Sequence, residues 1–406
     1  MKYDGIVISD IHFGAFDTLQ MMEELNKVFI PYLERLKKLD FIIIDGDYFD
    51  HKIYLSDKIS DYAISFMKKL VDYAKQFNCP IRCVYGTESH EVNQYHIFSI
   101  YESDPDVDFK VIYSVEEEEL RKDLMVLYIP EEVMLDKKEY YKEYFTKKEK
   151  YDYIFGHGVI QEVMTEAVKH TTSNKDSKRK KVPYFTSAEL EFMCRGQVFF
   201  GHYHVMTNIK NKIFYVGSYS RWKHGEETEK GFFHVSCDTT KRKYTQDFIE
   251  NAFAKKYHTY NYGYLDAVMV SEKDLIAELE KRDKWTEAQG DDYVKYVFNI
   301  PEDHPNPEAI IQVLNERYKF NDRINVKVVN GYVEKKKKAN KEKFSELVNE
   351  YPLIFDKVVK LEDKIEYYIK KKYEREVPLE NIKLYLYGDM EENISVISDV
   401  LKSTKL

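Results

Sequence analysis

Five short phrases of aspartate, histidine and glycine each follow an apolar run, and they constrain this chain's fold more than anything else in it. They are Asp10-x-His12, Gly46-Asp47-x-x-Asp50, Gly86 through His90-Glu91, Gly156-His157 and Gly201-His202-x-His204. The runs before them cover residues 3–9, 41–45, 81–85, 151–155 and 198–200. Short apolar runs that end in such phrases read as buried parallel strands. Ligands of open α/β sheets gather beyond the carboxyl ends of the strands. The phrases are therefore expected to converge on one edge, with glycine letting the backbone turn tightly beside a ligand.

Between the strands the period changes. Residues 19–39 carry Met22, Leu25, Val28, Phe29, Tyr32, Leu33 and Leu36 at helical spacing, with Pro31 expected to kink the helix. Ser56 is the expected N-cap of a helix running to about residue 77. The first three strands and two helices then make β-α-β-α-β, whose crossovers are right-handed. Residues 109–113 and 124–129 are further short apolar segments, and 137–150 read as a charged helix. Residues 205–209 and 213–216 flank Lys210-Asn211-Lys212 as a hairpin, and 232–236 and 243–248 continue this β-rich end.

Near Gly263 the character shifts again. Strands at 265–270, 293–300 and 324–329 alternate with helices at 272–282 and 307–318, the pattern of a separate small α/β domain. A four-lysine run at 335–338 reads as a linker, and residues from 344 onward are mostly helical. The expected domains are residues 1–255, 256–334 and 335–406. A chain of 406 residues suits two or three domains at about 150 residues each.

Composition narrows the function. The net charge of −9 argues against a protein that coats nucleic acid through bulk charge. Any such contact must come from metals and local basic patches. Residues 169–181, with Lys178, Arg179, Lys180 and Lys181, are one such patch. They read either as a solvated loop or as a DNA clamp that neutralises phosphates. Four cysteines without CxxC spacing exclude a disulfide framework or zinc knuckle and fit a reducing cytoplasm. No apolar run approaches the length of a membrane span, and no signal peptide is expected. The 35 tyrosines are read as codon bias.

The strand-end inventory is two aspartates, Asp10 and Asp47, and four histidines, His12, His157, His202 and His204. Carboxylate and imidazole together suit divalent metals, and this many can hold two with one carboxylate bridging. Two metals about 4 Å apart can clamp both oxygens of an in-line phosphoryl displacement and lower the pKa of an attacking water.

In this order the phrases resemble the signature of the calcineurin-like binuclear metallophosphoesterases, D-x-H, G-D-x-x-D, G-N-H-[DE], G-H and G-H-x-H. The likeness spans about residues 6–235. Within that superfamily the chain is similar to SbcD-type nucleases, through Tyr215-x-Gly217-Ser218-x-x-Arg221 after the last histidines. The resemblance implies an α/β fold. Its core is a four-layer sandwich of two mixed sheets flanked by helices, joined by a small α/β capping domain for DNA recognition and a helical C-terminal region. It implies that Asp10, His12 and His204 bind one metal, that His157 and His202 bind the second, and that Asp47 bridges. His90 becomes the catalytic histidine that assists departure of the 3′ oxygen, and Asp50 is structural or stands behind the ligands. The metals are expected to be manganese, with magnesium as the alternative. The implied activity is 3′-to-5′ exonuclease and single-strand endonuclease action in DNA end processing, with Arg221 near the DNA. The implied partners are DNA, an SbcC-type ATPase docked by the C-terminal helices, and a second copy of the chain. A cytoplasmic, phage-encoded version of that family fits the lysine- and tyrosine-rich composition.

The third phrase departs from the family. Where the signature has Gly-Asn-His, this chain has Gly86-Thr87-Glu88-Ser89-His90. Ser89 directly precedes the histidine and is expected in the asparagine's place, with Glu88 or a water as rivals. A neutral hydroxyl is a poor ligand, so the second metal site is expected to be weaker than the first. Two other functions stay open: a phosphodiesterase for RNA or small substrates, and a non-catalytic DNA-binding scaffold.

Overall fold

The computed structural model describes residues 1–15, 18–134, 136–163, 183–226, 228–264, 272–288, 290, 292–300, 307–319, 321–329, 350–355, 359–374 and 376–387. The basic stretch with Lys178, Arg179, Lys180 and Lys181, the strand expected at 265–270 and the linker at 335–338 lie outside these residues.

The chain opens with β1 (Lys2–Ile8) and a helical segment in three pieces: α1 (Thr18–Glu24), a single π turn (Leu25–Phe29) and α2 (Ile30–Arg35). Pro31 sits in the first turn of α2, and the π turn before it widens the coil where a proline ring would otherwise meet the preceding carbonyl. The helix ends at Arg35, because Leu36 is already extended. Then come β2 (Phe41–Asp45), α3 (Lys58–Phe77), β3 (Ile81–Val84), the one-turn α4 (Glu88–Glu91) and β4 (Phe109–Ile112). Asp57, not Ser56, stands at the N-cap of α3.

The next strands are β5 (Glu116–Arg121), β6 (Leu124–Ile129), β7 (Tyr151–His157), β8 (Val159–Ile160) and β9 (Tyr184–Phe185). The charged segment at 137–150 holds two four-residue helical turns rather than one helix. After α5 (Ser187–Met193) follow β10 (Cys194–Gly201), β11 (Thr207–Ile209), β12 (Ile213–Tyr215), β13 (Gly231–Asp238) and β14 (Lys243–Glu250).

These strands form two six-stranded mixed sheets, ordered β14-β13-β1-β2-β3-β4 and β11-β12-β10-β7-β6-β5. The β1-β2-β3-β4 and β6-β7-β10-β12 runs are parallel, while β13, β14, β5 and β11 pair antiparallel. Successive side chains of a strand point to opposite faces, and here both faces are buried. Ile6, Ile8, Ile42 and Ile44 pack outward with Leu25, Phe66 and Leu70 of the helical segments. Val7, Phe41 and Ile43 face inward against Tyr153, Phe155 and Phe199 of the other sheet. Ile154, Val198 and Phe200 pack on its outer side with Leu190 and Met193 of α5. The architecture is helix, sheet, sheet, helix, as expected.

Contacts divide the chain into two units, Met1–Thr259 with Thr286–Lys295, and Tyr260–Trp285 with Tyr296–Leu406. Beyond the two large sheets, β15 (Tyr257–Tyr264), β16 (Tyr293–Asn299) and β17 (Ile324–Val329) form a three-stranded sheet in that order. The intervening helices are α6 (Glu272–Ala288) and α7 (Pro307–Tyr318). Further on, α8 (Leu361–Tyr373) and α9 (Leu379–Tyr387) pack on each other. Among the described residues no helix is long and apolar enough to cross a membrane.

Candidate metal centre

The parallel strands β1, β2, β3, β6, β7 and β10 all deliver the residues after their carboxyl ends to one rim. Pairing continues past β1 and β2. The amides of Asp10, His12 and Phe13 donate to the carbonyls of Gly46, Asp47 and Tyr48 at 3.1, 3.0 and 2.8 Å. Asp10, His12 and Asp47 have φ of 49°, 56° and 47°, and His202 has φ of 99°. Non-glycine residues rarely adopt such conformations, and they persist only where the surroundings enforce them. Two glycines provide the room. A Cβ on Gly46 would stand 2.0 Å from His157 Nδ1, and one on Gly86 would stand 2.3 Å from the Asp47 amide nitrogen.

Asp47 is the hub. Its Oδ2 lies 2.8 Å from His90 Nδ1, 3.2 Å from His157 Nε2 and 3.8 Å from His12 Nε2. Its Oδ1 accepts the Thr87 amide at 2.6 Å. On one side, His12 Nε2 and His204 Nε2 are 3.0 Å apart, with Asp10 Oδ1 at 3.8 and 3.9 Å. On the other, His202 Nδ1 lies 3.0 Å from Glu131 Oε2. Four overlapping groups each bring their ligand atoms within 4.8 Å: Asp10-His12-His204, His12-Asp47-His90, Asp10-Asp47-His157 and Glu131-His157-His202.

Behind these atoms stand groups that fix the rings. His157 Nδ1 lies 2.9 Å from the Asp45 carbonyl, so Nε2 is the atom turned to Asp47. His204 Nδ1 lies 2.9 Å from Glu226 Oε1, and His12 Nδ1 lies 3.3 Å from Asp50 Oδ1. A carboxylate or carbonyl on the far ring nitrogen is the usual way a metal-binding imidazole is oriented. Glu226 is in turn 3.2 Å from Lys230 Nζ, which donates to the His204 carbonyl and to Ser218 Oγ. The Tyr215 hydroxyl donates to the Gly158 carbonyl and accepts the Ile160 amide, bracing the loop after His157.

Charge follows from this crowding. Burial alone would lower the His12 pKa, but its contacts with Asp10 and Asp50 carry it up to about 10. His157 is likewise opposed by burial and raised well above the ordinary imidazole value, chiefly by Asp47. Burial opposes ionisation of Asp10, yet His12, His157 and His204 hold it at about 2. Asp47 is driven well below the carboxylate range by His157 and His90 against the same burial.

These residues suit a divalent metal. The carboxylates of Asp10 and Asp47 are buried, two imidazole nitrogens face each other, and the buried Nε2 of His157 turns to Asp47. A metal cation would offset the buried negative charge and accept the lone pairs of the facing nitrogens.

The structure gathers Asp10, His12, Asp47, His90, His157, His202 and His204 in one place, with Asp50 behind His12. It does not bring in Ser89, which is exposed on α4 and belongs to none of the four groups. Thr87, directly after Gly86, is the residue beside Asp47 and His202. Glu88 is also exposed and accepts from the Tyr85 hydroxyl. Arg221, expected near DNA, is instead 9% exposed. Its guanidinium is spent on the carbonyls of Glu226, Thr228 and Ala254. Sequence reasoning missed Glu131, Glu226 and Lys230. Glu131 had a signal, since it falls two residues after the apolar strand β6, as the other ligands fall after theirs.

Residues 6–206 match the model of the calcineurin-like phosphoesterase family. No curated protein matches the sequence. One solved crystal structure aligns over 61% of this chain and 100% of its own at 12% identity, with a TM-score of 0.33.

Proposed function

Because the chain carries a calcineurin-like phosphoesterase domain over residues 6–206, we propose that it is a metal-dependent phosphodiesterase that cuts DNA. The observation that carries the reading is the hub at Asp47, whose carboxylate touches His90 and His157 and stands between two histidine pairs. Asp10, His12 and His204 would hold one divalent metal and His157 and His202 the other, with Asp47 shared. Manganese is the metal proposed, as the resemblance to SbcD-type nucleases implies, and the carboxylate and imidazole donors suit a divalent cation. Such metals supply positive charge to the phosphate oxygens and acidify a water molecule.

The chain's own residues do the rest. Asp47 holds His90 by Nδ1, and the His90 side chain is 34% exposed. Its other ring nitrogen then serves the entering phosphodiester, giving a proton to the departing 3′ oxygen. Glu226 and Asp50 keep His204 and His12 turned inward. The preference for DNA ends, and action as an SbcD-type nuclease, are supported by the Tyr215-x-Gly217-Ser218-x-x-Arg221 phrase, which here braces the loops of His157 and His204. The net charge of −9 favours a second reading, a phosphodiesterase for RNA or small substrates.

Duplex DNA, RNA and bis-p-nitrophenyl phosphate, each assayed with manganese, separate the two. The first reading expects DNA cleavage that His90→Gln lowers by roughly 100-fold or more, the scale of one acid–base group. Hydrolysis of the small diester without DNA cleavage would favour the second.

The same reading extends to partners. The apolar spacing of the C-terminal helices supports docking onto an SbcC-type ATPase, while assembly around a second copy of the chain is carried over from the resemblance to SbcD-type nucleases. Truncation after residue 340 is expected to abolish capture by such an ATPase; undiminished capture would count against it.

A further inference from the structure

We infer that Glu131 is a protein ligand of the second metal, taking the place left by the asparagine that the third phrase lacks. The inference rests on the two-metal reading of the site.

The placement is set by backbone. Glu131 follows β6, and its amide donates to the Tyr85 carbonyl at 3.1 Å. That bond ties the end of the second sheet to the residue just before Gly86-Thr87. The Glu131 side chain therefore emerges at the spot where the third phrase is short of a ligand. Its carboxylate is 6% exposed, with Oε2 at 3.0 Å from His202 Nδ1 and 3.3 Å from Thr87 Oγ1.

A buried carboxylate costs free energy unless its oxygens are matched. A plain ion pair with His202 would match one of them. Two further observations point past that account. The buried His157 places a ring nitrogen within 4.8 Å of ligand atoms of both Glu131 and His202, so three donors converge on one point. The carboxylate of Asp47, moreover, lies close by, since the Thr87 hydroxyl is 3.3 Å from it and from Glu131. A divalent cation among Glu131, His157, His202 and Asp47 would take a lone pair from each and offset the charge of two neighbouring carboxylates. Thr87 does not compete for the role. Its hydroxyl lies 3.3 Å from both Asp47 Oδ2 and Glu131 Oε2, which fits a residue that spaces the two carboxylates.

The consequence reverses the ranking that the missing asparagine suggests. The first site has two imidazoles, the carboxylate of Asp10 and the shared Asp47. The second has two imidazoles, the carboxylate of Glu131 and the same Asp47. With equal donor sets and equal formal charge, the two sites should bind manganese with similar strength.

Calorimetric titration of the full-length, metal-stripped protein with manganese chloride tests this without reference to activity. The expected result is two equivalents bound with affinities within about tenfold of each other. Glu131→Gln, close to isosteric, should leave one tight equivalent and weaken the other by more than the roughly 10–100-fold that losing a group behind a ligand costs. Glu131→Asp keeps the charge and the pairing with His202 but draws the oxygens back, so it should weaken the same equivalent by less. It decides the matter if the glutamine variant does not fold by circular dichroism. Two equally tight equivalents in both variants would overturn the assignment while leaving the two-metal reading intact. No manganese bound by the unsubstituted protein would overturn both.

Discussion

At the scale of single residues, the centre is an arrangement of charges that a metal completes. Two imidazoles, His12 and His157, are held protonated by the carboxylates around them, His12 up to about 10. A metal ligand must be the neutral ring, so loading should displace protons. Titration with manganese at pH 7 in buffers of different ionisation enthalpy is expected to show net proton release of one or more per chain, shrinking as pH rises toward 10. Release of none would mean that these rings are not the ligands. The same shift fixes a stability trend. Because the folded His12 value lies above its ordinary 6.5, its contribution to the metal-free fold is fully present below that pH and is lost as pH climbs through about 10. Asp10, His12, Asp47, His157, His202 and His204 are legible in the sequence because each directly follows an apolar strand and belongs to a phrase of ligand-type residues. Glu131 also follows a strand, but its neighbours in the site, Thr87, His157 and His202, lie tens of positions away. Only the pairing of β6 with β7, and the bond from Glu131 to the end of β3, brings them together.

At the scale of elements, alternation along the strands explains why the sandwich was readable. Ile6, Val7 and Ile8 divide between the helix-facing and sheet-facing cores, as do Ile42, Ile43 and Ile44. What escaped was β5, whose Glu-Glu-Glu-Glu run reads as anything but a strand. Tertiary partners override the propensity: Arg82 pairs with Glu118, and Lys147 and Lys150 pair with Glu117. The loop between β12 and β13 was likewise unreadable as a functional element. It carries Glu226 and Lys230, a pair with side chains 3% and 0% exposed, directly behind His204. Removing one member of a buried pair leaves the other uncompensated, at a cost of about 3–5 kcal/mol. Glu226→Ala should therefore lower unfolding stability by that order in urea titration. It should also weaken the first manganese site by about 10–100-fold, the range for lost outer partners of a ligand. A stability change without a change in manganese affinity would make this loop a brace of the fold alone.

At the scale of the whole molecule, residues 6–206 match the calcineurin-like phosphoesterase family and hold the clustered candidate ligands. A net charge of −9 supplies no general attraction for a polyanion, so recognition must be local. The central claim is that hydrolysis belongs to a pair of metals held at Asp47. Its most direct test is the rate of phosphodiester hydrolysis by metal-stripped protein as manganese is added stepwise. The account predicts no hydrolysis without metal and a rate that levels off at two equivalents per chain. Hydrolysis that persists in the stripped protein, or two bound equivalents with no hydrolysis of any phosphodiester, would contradict it.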